Sequence, residues 1–183
     1  MSTVDQRKAR SRHKLLLAAR LLPLATVVAW IITIVVPIID SNTSDGGNEE
    51  GPSLTITSLG HSPVLLEYLD HEAISIWIGI LTLAILPWLV GASKWWSAAA
   101  VLFGAALLWM LSSYLITPPI MMWDGQTEDG TPTGGMEGGR PAPGFAVYAI
   151  GALALTAAGI CGWISSSGST AALRHRGALD PDV

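Results

Sequence analysis

The chain has 183 residues, of which 50% are hydrophobic and only 13% are charged, and its mean hydropathy is +0.48. Soluble domains usually carry about a quarter charged residues, so this composition excludes an ordinary soluble protein. The net charge of −4 hides an uneven distribution, because the basic residues are concentrated at the two termini and in one short link.

Four apolar stretches, each close to the ~20 residues that a helix needs to cross a bilayer, predict an all-α membrane protein with four transmembrane helices. No acidic or basic residue lies within them. They cover approximately Leu21–Ile39, Ala73–Ala92, Ser97–Ile116 and Gly144–Ile164. The predicted organisation is a basic tail at 1–14, a transmembrane domain at 15–164 with loops at 40–72 and 117–143, and a disordered tail at 165–183.

The positions of the basic residues predict the orientation. Arg140 is the one basic residue in the loops 40–72 and 117–143. The other nine are Arg7, Lys8, Arg10, Arg12, Lys14, Arg20, Lys94, Arg174 and Arg176. We therefore predict a protein of the plasma (bacterial inner) membrane, and the positive-inside rule places both of its termini in the cytoplasm. The basic N-terminus is expected to contact anionic lipid, and nucleic acid is not an expected partner.

Two local patterns stand out in the loop 40–72. Residues 54–57 (Leu-Thr-Ile-Thr) alternate as in a short strand, but the sequence offers no evident partner for it. Ser62 and Pro63 suit the N-cap and first turn of a helix, and the leucines that follow share one face. We therefore predict a short outer interfacial helix before the second span, or the first two turns of a longer helix that continues into it.

Later in the chain, the link at 91–96 is so short that spans two and three must form an antiparallel hairpin. The hydroxyl-bearing residues Ser112, Ser113, Tyr114 and Thr117 are expected to form hydrogen bonds between helices, and the alternative is that they line a small polar pocket. Span four contains small residues at a spacing that permits close helix approach, and we predict that these pack against a partner helix. They are Gly151, Ala154, Ala158 and Gly162.

One group of residues has side chains of the type that bind metals. It consists of His61, Glu67, His71 and Glu72, and imidazole and carboxylate groups suit Zn or Cu. The alternative, which we favour, is the solvated start of a helix at the membrane boundary. The chain lacks recognisable catalytic or phosphate-binding motifs. We therefore expect no cofactor, no resident metal and no enzymatic activity.

In its layout of Ala-, Gly- and Trp-rich spans, the chain resembles small multi-span accessory proteins of actinobacteria, including those of the cytochrome bcc–aa3 respiratory supercomplex. This resemblance implies a non-catalytic accessory or assembly subunit whose partners are other membrane protein subunits and the lipid bilayer. One alternative is a small homo-oligomeric transporter or channel. Another is a membrane enzyme or sensor that uses the region from His61 to Glu72.

Overall fold

The computed structural model describes residues 3–41, 54–62, 71–123 and 134–177. This part of the chain is mostly helical. The helices are α1 (Thr3–Val35), α2 (His71–Leu89), α3 (Lys94–Ile116) and α4 (Pro143–Gly177). The strands are β1 (Ile39–Asp40), β2 (Thr55–Thr57), β3 (Gly60–Ser62), β4 (Ile120–Trp123), β5 (Gly135–Gly138) and β6 (Arg140–Pro141).

Each helix contains a segment long and apolar enough to cross a membrane, so the four predicted apolar helices are confirmed, and they are compatible with a multi-pass membrane protein. The segments are His13–Val35, His71–Leu89, Lys94–Ile116 and Pro143–Ser167. The all-α description is incomplete, because the six strands lie between these helices.

The first and last helices are longer than the sequence predicts. Helix α1 begins at Thr3, inside the basic tail, where Ala, Gln, Lys and Arg are all good helix formers. Helix α4 continues to Gly177 and so differs from the disorder expected at 165–177. In this extension the hydroxyls of Ser165, Ser166 and Ser167 donate to carbonyls three or four residues earlier in the helix. Residues 178–183 lie outside the described part.

The chain divides into two compact units. We call residues 28–77 and 108–150 the sheet unit, and residues 1–27, 78–107 and 151–183 the hairpin unit. Each helix contributes residues to both units.

The sheet unit contains all the strands. Four of them form an antiparallel sheet in the order β3-β2-β1-β6, and β4 pairs with β5 in a separate antiparallel ribbon. Ile39 and Ile56 face each other across the β1–β2 pair and are buried. The expectation that the strand at 54–57 has no partner was therefore wrong, since β1 and β3 flank it on both sides.

The predicted interfacial helix lies outside the described residues, which omit 63–70. Its proposed N-cap, Ser62, is the last residue of β3 and pairs with Thr55. An N-cap residue also has an extended backbone, so the helix at 63–70 stays a prediction.

In the hairpin unit, α2 and α3 are joined by the predicted tight turn. Gly91 has a φ of 84°, a left-handed conformation that glycine adopts without steric cost. Ser93 is the N-cap of α3, because its Oγ accepts a hydrogen bond from the Trp96 backbone N–H. The Trp96 indole N–H then donates to the Leu83 carbonyl at 2.9 Å, which fixes the two helices against each other.

Helices α3 and α4 approach closely within the hairpin unit. A Cβ placed on Gly159 would lie 2.7 Å from the Ser97 carbonyl oxygen and 2.9 Å from the Val101 backbone nitrogen. Contacts at this distance are possible only because Gly159 has no side chain. Thr26 of α1 adds a hydrogen bond from its Oγ1 to the Gly151 carbonyl at 2.9 Å.

Candidate functional site

Ser58, at the turn between β2 and β3, holds that turn against the end of α1. Pro37 follows α1 and cannot extend it, so the last carbonyls of the helix need other donors. The Ser58 backbone N–H donates to the Thr33 carbonyl at 3.1 Å, and its hydroxyl donates to the Trp30 carbonyl at 3.0 Å. The Ser58 carbonyl in turn accepts from the Trp77 indole at 3.1 Å. One buried residue therefore connects α1, the sheet and α2.

Trp30 of α1 and Tyr148 of α4 form an aromatic pair beside this joint. Their ring centroids are 4.3 Å apart and their planes are inclined at 45°. Each side chain is only 1% exposed. Neither the Trp30 indole nitrogen nor the Tyr148 hydroxyl has a hydrogen-bond partner among the described residues. Two buried polar atoms of the same pair are thus left without the partners that such groups normally have.

Both aromatic residues line a cavity of about 90 Å³ within the sheet unit. Ser58, Glu72, Met110 and Tyr114 also line it, and much of the remaining wall consists of isoleucine and alanine. This cavity combines apolar walls with a few polar groups, as ligand sites do, but it is smaller than the roughly 300–1,000 Å³ of most ligand pockets. We therefore take it as the candidate functional site.

The residues predicted as metal ligands are distributed over several elements. His61 lies in β3 opposite Ile56, while His71 and Glu72 are the first two residues of α2, and Glu72 lines the cavity. Glu67 is outside the described residues. Within the described ranges, no three His, Cys, Asp or Glu side chains are grouped so that they could hold a metal ion.

The hydroxyls near the end of α3 do not make the predicted bonds between helices. Ser112 donates to the Trp109 carbonyl at 2.8 Å, and Ser113 donates to the Met110 carbonyl at 2.7 Å. Thr117 likewise donates to the Ser113 carbonyl. That expectation was wrong for these three residues, because a carbonyl one turn back in the same helix is always within reach. Tyr114, the fourth member, lines the cavity.

The small residues of α4 lie mostly inside the chain. Gly151, Ala158 and Gly162 are buried, and Ala154 is half-buried. A Cβ on Gly162 would meet the Ser97 hydroxyl and the Trp96 ring. The close approach that their spacing allows thus occurs with helices of the same chain, and contact with a partner helix stays a prediction.

Charge is divided sharply between the two units. By sequence, the sheet unit has eleven acidic residues and one basic residue, a formal charge of −10. The hairpin unit has three acidic and nine basic residues, a formal charge of +6, and the two values give the −4 of the whole chain.

Sequence reasoning did not single out Trp30, Ser58 or Tyr148. One signal was available in the sequence. Trp30 lies near the end of the first span and Tyr148 near the start of the fourth, and helices that alternate in direction bring these two ends to the same depth in the membrane. Comparisons with protein families, with curated proteins and with solved structures identified no match for this chain.

Proposed function

We propose that this protein is a non-catalytic accessory or assembly subunit of a larger membrane protein complex in the plasma membrane. The observation that carries the proposal is an exposed apolar surface outside the candidate membrane spans. The layout resemblance makes a respiratory complex the first one to examine.

This surface is one face of the ribbon formed by β4 and β5. Met122 lies opposite Met136, and Ile120 is two residues from Met122, so the three side chains share a face. Their exposed fractions are 73%, 65% and 55% respectively. Methionine is flexible and polarisable and is favoured at surfaces that adapt to a partner. We call these three residues the ribbon face.

A partner protein suits the ribbon face because β4 begins four residues after the last residue of α3 and lies beyond its candidate span. Lipid chains would cover the exposed residues of the spans. They would not cover the ribbon face, because it lies outside the spans. The surrounding loops are acidic and polar, so an apolar face here is best explained by an interface.

The polar groups within the spans also favour a structural role over transport. Thr26, Thr33, Ser97 and Thr156 all donate their hydroxyl hydrogens to backbone carbonyls. These hydroxyls strengthen helices and the contact between α1 and α4. Among the described residues, the middle of each candidate span carries no charged residue of the kind that marks an ion or proton pathway.

We expect a photoreactive amino acid at Met122 or Met136 to form a covalent adduct with a different membrane protein. The full chain, carrying an affinity tag, would be irradiated in its native membrane, extracted gently and analysed by mass spectrometry. The matched controls are the same amino acid at Arg140, an exposed polar position of the sheet unit, and at Leu102, a 71% exposed position within α3.

One discrete adduct from the two ribbon positions, absent from both controls, would support the proposal. An adduct that contains only a second copy of this chain would overturn it and favour the homo-oligomeric transporter or channel. Absence of any adduct from the ribbon positions would also contradict it.

The proposed orientation places the hairpin unit's basic residues in the cytoplasm, and it gives a separate prediction. In a chain whose single cysteine is removed by Cys161→Ser, we expect Gly134→Cys to react with a membrane-impermeant thiol reagent on intact cells. Ser93→Cys, in the turn between α2 and α3, is expected to react only after permeabilisation. Labelling in the opposite order would refute the orientation while leaving the partner proposal to its own test.

A further inference from the structure

The cavity of the sheet unit contains two polar groups that need a partner. The Trp30 indole nitrogen and the Tyr148 hydroxyl belong to side chains 1% exposed, and neither has a partner among the described residues. A buried donor without an acceptor is costly. Because the two side chains line the same cavity, a single occupant or a small cluster can satisfy both.

The chemistry of the lining restricts the charge of the occupant. An indole N–H can only donate, and a phenol can donate or accept, so the occupant must offer an acceptor atom to Trp30. The Trp30 indole presents only a hydrogen to the occupant, which disfavours a cation at that position. Glu72 also lines the cavity, and its carboxylate repels an anion. A neutral molecule that both accepts and donates hydrogen bonds fits the indole and the phenol.

The size of the cavity restricts the occupant further. A cavity of about 90 Å³ has room for a few water molecules. It is smaller than the apolar cavity of about 150 Å³ that accepts benzene. An aromatic ring or a lipid headgroup is therefore too large to be enclosed.

We propose that this cavity is an internal hydration site, in which a few water molecules accept hydrogen bonds from Trp30 Nε1 and Tyr148 Oη. The bound water links α1 to α4 beside the Ser58 joint. Through this water the Trp30 indole N–H can exchange its proton with solvent, although the side chain is buried.

We expect the Trp30 indole N–H to show a direct cross peak with water in the nitrogen-15 NMR spectrum of the full protein in lipid nanodiscs. We also expect it to exchange with deuterium at least about tenfold faster than the Trp96 indole N–H, since closed hydrogen bonds open only through local unfolding. Trp96 is the matched control, because it is 2% exposed and its N–H is bonded to the Leu83 carbonyl. Trp30→Phe assigns the signal.

A second variant tests the cavity itself. Ala73 lines it and is 8% exposed, so Ala73→Ile adds apolar volume where the water would lie. We expect the water cross peak of Trp30 to disappear in this variant while the Trp96 signal is unchanged. The proposal is overturned if the unmodified protein shows no water cross peak at Trp30, or if that indole exchanges as slowly as Trp96. A cross peak to lipid or to another protein group in place of water would overturn it equally.

Discussion

Replacing Trp30 with alanine is expected to lower the free energy of unfolding by about 3 kcal/mol, the lower end of the range for buried tryptophan. Trp30 is among the largest fully buried side chains in the described part of the chain, and it contacts the Tyr148 ring. We expect a value at the lower end of this range because the lipid around the helices is itself apolar. Trp30→Ala therefore mainly removes packing contacts within the protein.

The measurement is unfolding in mixed detergent micelles, followed by circular dichroism. Trp109→Ala is the matched control, because it removes the same side chain from α3 at a position that is 76% exposed. We expect that variant to change stability by no more than about 0.5 kcal/mol, as exposed substitutions usually do. If Trp30→Ala and Trp109→Ala were equally mild, the aromatic pair would not be part of the stable core.

The four helices were predictable because their signal is local. A run of apolar residues of the right length identifies each span, and the few residues between α2 and α3 permit only a hairpin. The ends of α1 and α4 were less predictable. Basic and serine-rich segments are typical of disordered tails, and the serine hydroxyls can bond to a helix as readily as to water.

The sheet was not predictable because its strands are short and its pairings are distant in sequence. Ile39 pairs with Ile56 on one side and with Pro141 on the other. Strand β1 has only two residues, too few for a recognisable alternation of polar and apolar side chains. A strand of this length can be recognised only from the strands with which it pairs, and those lie elsewhere in the sequence.

The cavity was hidden for a related reason. Its lining comes from α1, β2, β3, α2, α3 and α4, and no two of its polar residues form a motif. Of the predicted ligand residues, Glu72 lines the cavity, together with the aromatic residues Trp30, Tyr114 and Tyr148. Buried hydroxyls and indoles have no sequence signature that separates satisfied from unsatisfied groups. Only the arrangement of the backbone shows which of them lack a partner.

Substituting Gly159 with alanine is expected to cost about 1–3 kcal/mol of stability, the usual range for overpacking. The new Cβ would lie 2.7 Å from the Ser97 carbonyl oxygen and 2.9 Å from the Val101 nitrogen. Both are backbone atoms of α3, so neither can rotate away and the two helices must separate. In a bilayer, where close packing contributes much of the attraction between helices, this separation also loses the contacts on either side.

Gly79→Ala is the matched control for Gly159→Ala, since it makes the same change inside another helix of the hairpin unit. The atoms nearest to its Cβ all belong to the ring of Phe103, at 2.5 Å and 2.7 Å for the first two, and that side chain is half-buried and can turn aside. Alanine is favoured over glycine in a helix by about 1 kcal/mol, and this gain applies to both variants. At Gly79 it offsets most of the steric cost, whereas at Gly159 it does not. We therefore expect Gly159→Ala to unfold at clearly lower denaturant than Gly79→Ala in the same micelles. Equal midpoints would show that α3 and α4 are not held by backbone contact at Gly159, and α4 would then be free to use its small residues against another helix.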